Sequence, residues 1–103
     1  MEKKYFFLIF FILIFSFSFS QTTEKMKEVR LYPNPAQTFF SVDGQGVKIE
    51  KIEIFSLLGV KEREIVSRFK YIRIDDLPRG IYMIKIYSKE GYVVKKLIKN
   101  SSE

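Results

Sequence analysis

From Val29 to the end of the chain, turn residues recur about every eight to twelve positions, and each gap between them holds a short apolar run. No long helical pattern and no internal repeat runs through this stretch. The spacing therefore predicts an all-β domain, built as a sandwich or a barrel. Turns are expected at Asp43-Gly44-Gln45-Gly46, Leu57-Leu58-Gly59, Leu77-Pro78-Arg79-Gly80 and Lys89-Glu90-Gly91, with glycine placed where positive φ is needed. Strands are expected over 29–32, 38–42, 47–55, 60–65, 71–75, 81–87 and 92–99, seven segments that fit a two-sheet sandwich.

Alternation assigns the faces. In Lys51-Ile52-Glu53-Ile54 and in Tyr71-Ile72-Arg73-Ile74-Asp75 the isoleucines point one way and the polar residues the other, so Ile52, Ile54, Ile72 and Ile74 are expected in the core. The run 81–86 is apolar on both faces apart from Lys85, which suits a central strand with Tyr82, Ile84 and Ile86 inward. The charged run 60–65 reads as an edge strand whose charges discourage edge-to-edge pairing. With Val66 and Phe69 it also fits the i, i+4 pattern of a short helix. Pro33-Asn34-Pro35 removes two ladder donors, which ends the first strand and redirects the chain.

The first 20 residues differ in kind from the rest. Met1-Glu2-Lys3-Lys4 is net positive, and residues 5–19 are apolar except for Ser16 and Ser18. This is the layout of a secretory signal peptide, with small Ser18 and Ser20 placing the cut between Ser20 and Gln21. An uncleaved anchor is the rival reading, and the apolar run falls short of the roughly 20 residues that a spanning helix needs. Residues 21–28 are polar and read as a flexible lead-in, leaving 29–103 as the folded domain.

The chain has no cysteine and no histidine. Disulfides, a thiolate metal site and a lipid-modified cysteine are thereby excluded, together with the commonest general base and the commonest transition-metal ligands. Asp75 and Asp76 are the adjacent carboxylates, and neighbours on a strand face opposite ways, so they are expected to open a turn rather than act together on a substrate. A domain this small buries only about 60 to 65% of the surface its unfolded chain exposes, which leaves little room for a catalytic cleft. No catalytic residue, metal or cofactor is expected. The net charge of +6 favours anionic partners such as lipopolysaccharide, an acidic polysaccharide or an acidic protein groove. Export argues against nucleic acid. Tyr71, Tyr82, Tyr87 and Tyr92, with Lys85, Lys89, Lys95 and Lys96, could form an aromatic, basic face for sugars; packing within strands explains the tyrosines equally simply and is preferred. Asn100-Ser101-Ser102 matches a glycosylation acceptor and carries little meaning in a bacterial export context.

Three ordered motifs remain. They are Leu31-Tyr32-Pro33-Asn34-Pro35, then Ile54-Phe55-Ser56-Leu57-Leu58-Gly59, then Leu77-Pro78-Arg79-Gly80-Ile81-Tyr82-Met83-Ile84-Lys85 followed by Lys95-Lys96-Leu97-Ile98-Lys99. In this order the set resembles the type A C-terminal sorting domain of type IX (Por) secretion. The resemblance implies an immunoglobulin-like, Greek-key β-sandwich that serves as an address label and is never itself the catalyst. It implies passage through the inner membrane to the periplasm, recognition by the outer-membrane translocon, and delivery to the cell surface or medium. A sortase-like peptidase, and attachment of cargo to anionic lipopolysaccharide, are the further partners it implies. Membrane contact is expected only through the leader before cleavage. By position the recognition residues would be Tyr32, Pro33, Asn34, Pro35, Gly59, Gly80, Tyr82, Lys95, Lys96, Leu97 and Lys99. The C-terminal strand and its lysines are expected to touch the partner, by strand addition or charge pairing. Members of the family normally carry a large cargo ahead of this domain, whereas here only residues 21–28 lie between leader and motif. The alternative is a small secreted basic sandwich that binds an anionic glycan or a protein partner.

Overall fold

The computed structural model describes residues 24–101, so the leader and the cut between Ser20 and Gln21 lie outside the described residues. A single 3-10 turn, Met26–Glu28, precedes the strands β1 (Arg30–Tyr32), β2 (Phe39–Asp43), β3 (Lys51–Ser56), β4 (Lys61–Ile65), β5 (Ile72–Arg73), β6 (Gly80–Ser88) and β7 (Gly91–Lys99). They form two antiparallel sheets, one in the order β1-β2-β5 and one in the order β4-β3-β6-β7. The domain is all-β with almost no helix.

Period-two alternation decides which side chains meet between the sheets. Phe40 and Val42 of β2 and Ile72 of β5 face Ile52 and Ile54 of β3, Tyr82, Ile84 and Ile86 of β6, and Val93 and Leu97 of β7 in one buried cluster. Every isoleucine assigned to the core is there, including Ile74, which lies just beyond β5. The central position expected for 81–87 is also found, since β6 lies between β3 and β7 with Ile54 opposite Ile84 and Tyr82 opposite Leu97.

The charged run forms an edge strand rather than a helix. β4 pairs only with β3, with a register shift at Ile54/Phe55, and its charges are tied across the ladder. Lys61 Nζ lies 2.8 Å from both Glu53 and Glu64, and Lys51 lies 3.9 Å from Glu64.

Three departures from the sequence reading go beyond a one-residue shift of a strand end. The strand expected from Val47 begins only at Lys51, because the preceding turn is closed by Asp43. Its carboxylate accepts from the Gln45 backbone N–H at 3.0 Å and from the Gln45 side-chain amide at 2.7 Å. Gly44 is needed here for space rather than for positive φ, since a Cβ would lie 2.3 Å from the Val47 carbonyl oxygen. The strand expected over 71–75 shortens to Ile72–Arg73, with Tyr71 at φ 55° and its backbone N–H donated to the Ser41 hydroxyl at 2.8 Å. The lead-in expected to be flexible instead contributes Met26, which is fully buried in the core cluster.

Candidate recognition site

The sequence motifs at the two ends of the domain meet in space. After β1, the chain turns through Pro33-Asn34-Pro35, with both Tyr32–Pro33 and Asn34–Pro35 peptide bonds cis, and runs along the outer edge of β7. The Asn34 side chain does there what a strand backbone would do. Its Oδ1 accepts from the Ile98 N–H at 3.0 Å, and its Nδ2 donates to the Lys96 carbonyl at 2.8 Å. Buried Ala36 continues the pairing in parallel, donating its N–H to the Ile98 carbonyl at 2.8 Å and accepting from the Asn100 N–H at 2.7 Å. The prolines lack the donors for this edge, and the asparagine amide supplies one in their place.

This closure changes the role expected of the C-terminal strand. Strand addition at the C-terminal half of β7 is blocked, because the segment from Asn34 to Ala36 already occupies that edge. Among the proposed contact residues, Leu97 is fully buried and Lys99 is 3% exposed, its ammonium donating to the Asn100 carbonyl at 2.8 Å. Lys95 is half-buried and donates to the Lys27 carbonyl at 2.7 Å, leaving Lys96 as the exposed lysine of the set. The reason is parity: residues 93, 95, 97 and 99 share the inward face, and the aliphatic stem of a lysine accepts such a place when its tip reaches an acceptor.

The remaining motif residues shape the frame. Gly59 has φ 88° in the β3–β4 turn, a conformation that penalises a Cβ, and its N–H donates to the Ser56 carbonyl at 2.9 Å. Gly80 opens β6 opposite Lys99. Tyr82 is buried and its hydroxyl donates to the Pro78 carbonyl at 2.6 Å, fixing the turn that precedes its own strand. Tyr32, Pro33 and Pro35 are exposed beside Asn34.

The family described as the secretion system C-terminal sorting domain matches residues 30–100, from the first residue of β1 to just past the end of β7. The chain belongs to that family. Ulvan lyase NLR42 of Nonlabens ulvanivorans is a relative, 30% identical over 89 residues, which cover 82% of this chain. The match spans only 17% of the length of that lyase. The sorting domain is thus a signal for type IX secretion, directing export to the outer-membrane surface or the extracellular space through contact with the secretion machinery.

Other candidate chemistry in the sorting domain resolves into structure. The four tyrosines do not form one platform: Tyr82 is in the core, Tyr71 lies beside the small sheet, and Tyr87 and Tyr92 pair on the outer face of the large one at 6.0 Å between centroids. Their faces are taken by lysines, with Lys51 4.5 Å from the Tyr87 ring and Lys85 4.3 Å from the Tyr92 ring. Asp75 and Asp76 are separated by their partners, Arg73 at 2.8 Å and Arg63 at 2.6 Å, and those hydrogen bonds hold both carboxyls below the ordinary range. Replacing Asn34 by alanine removes two hydrogen bonds to β7, so a loss of about 1–2 kcal/mol in unfolding free energy is expected from urea melts. Hydrogen exchange of the Ile98 amide, which loses its own acceptor, should speed up by more than that of core Ile86.

Proposed function

We propose that this chain is a non-catalytic substrate of type IX secretion whose domain is read by the outer-membrane translocon after passage through the periplasm. The observation that carries the reading is the union of the first and last motifs, Asn34 gripping Lys96 and Ile98, which makes one folded unit out of separated signals. An immunoglobulin-like Greek-key sandwich is the architecture proposed. Supporting it are the chain's alternation between sheets, β1-β2 then β3-β4, β5, and β6-β7, and the Tyr82-to-Pro78 bond, which resembles a tyrosine corner. Export is proposed to begin with cleavage of the leader between Ser20 and Gln21. A sortase-like peptidase would then act on the domain, with anionic lipopolysaccharide as the acceptor for what it releases. Tyr32, Pro33, Asn34, Pro35, Gly59, Gly80, Tyr82, Lys95, Lys96, Leu97 and Lys99 are proposed to serve recognition, most of them by maintaining the fold and Lys96 by direct contact.

A fluorescent reporter inserted ahead of Glu24 in the full chain tests this, because a fusion starting at Val29 would omit buried Met26. Reporter at the surface or in the medium of cells with a working translocon, and its retention in cells lacking one, is the expected result. Periplasmic retention in both strains would refute the sorting function for this chain.

A further inference from the structure

The β3–β4 turn presents its apolar side chains outward. Leu58 is 93% exposed, Leu57 67% and Val60 56%, and Ile81, at the same end of the sheet, is 40% exposed. Isolated apolar residues on a surface need no explanation; three in one turn, two of them consecutive leucines, form a projecting patch. The turn is also stiff. Ser56 donates its N–H to the Val60 carbonyl at 2.8 Å, its hydroxyl accepts from the Val60 N–H at 3.2 Å, and its carbonyl accepts from Gly59 at 2.9 Å. Positive φ at Gly59 sets the reversal that keeps the leucines at the tip. A tip fixed in this way loses little conformational freedom when it binds, the condition under which apolar anchors contribute most to an interface.

The chemistry of the occupant follows from the charges around the tip. Insertion into an anionic bilayer surface relies on lysines and arginines ringing the apolar residues. Here Lys61 is held by Glu53 and Glu64, Arg63 is held by Asp76, and exposed Glu62 stands beside them. Both named cations are paired and are outnumbered by carboxylates, which argues against an anionic bilayer surface and suits an apolar concavity on a protein. Resting on the sorting function proposed above, we propose that Leu57 and Leu58 anchor the domain in an apolar pocket of the outer-membrane export machinery. The turn is then a contact element of the address, while the Asn34 closure keeps the fold that presents it.

The test uses the full chain with the reporter ahead of Glu24, unchanged or carrying Leu57→Ser together with Leu58→Ser. Val66→Ser, at another site 65% exposed, is the control. Surface delivery is expected to fall about tenfold or more in the double variant and to stay unchanged in the control, with the melting temperature of both close to the parent. Delivery of the double variant at the parent's level would overturn the anchor while leaving the sorting function intact. Failure of the parent itself would overturn both. Binding of the full chain to phosphatidylglycerol vesicles that weakens in the double variant would assign the tip to lipid and overturn the protein pocket.

Discussion

Met26→Ala is expected to lower the unfolding free energy by about 2–5 kcal/mol, the range for truncating a buried methionine in a core that cannot fully collapse. The segment around it reads as polar, and by composition it lies outside the domain. Yet Met26 is fully buried, its sulfur lies 3.0 Å from the Ser88 hydroxyl, and the turn is held over β7 by the bond from Lys95 to the Lys27 carbonyl. The side chain thus closes the end of the core near the β6–β7 turn. Urea unfolding of the full chain and the variant gives the difference directly. A change below about 1 kcal/mol would mean that the residues before Val29 are not part of the cooperative unit.

The second large effect is a pH dependence centred on Glu53. Its side chain is 10% exposed on the outer face of the large sheet, where it accepts from Lys61 at 2.8 Å and from the Tyr87 hydroxyl. The hydrogen bond from Lys61 first, and that from Tyr87 second, bring its carboxyl down to about 2 from an ordinary 4.5. A lowered value means that the folded state favours the ionised form. The stabilisation is therefore complete above about pH 4.5 and is lost as pH falls toward 2. Allowing for the solvent around Lys61, the contribution at neutral pH is on the order of 2 kcal/mol. Glu53→Gln should show that deficit in urea melts at pH 7, and the gap to the parent should close as both are titrated toward pH 2.5. A gap that stays constant across the range would show that the carboxylate's charge is not what stabilises the sheet.

Much of this fold is written in short-range pattern. Ile52, Ile54, Ile72 and Ile74 announce their faces because one side of each ladder is buried and the other is wet. The charged edge at β4 and the central place of β6 follow from composition for the same reason. The inward turn of Lys99 was also legible, since it shares parity with Leu97, but its charge argues the other way unless the nearby carbonyl acceptor is known. What no local pattern reveals is a bond between residues 62 or 64 positions apart, such as those that Asn34 makes. Between two prolines, that asparagine looks like a turn residue; only the neighbouring strand shows that its amide replaces missing backbone. The exposure of Leu57 and Leu58 is hidden likewise, because the pattern places them in a turn but does not tell whether an apolar pair there folds back on the core or projects from it.

The grip of Asn34 on Lys96 and Ile98 makes the molecule a check on its own completeness. A chain that stops short of Ile98, through premature termination or trimming by a protease, gives the asparagine nothing to hold and leaves the edge of the large sheet open. Its early half is finished long before the residue that closes it has been made. On the proposed reading, an address assembled from both ends of the domain exists only on a product synthesised through to its last strand.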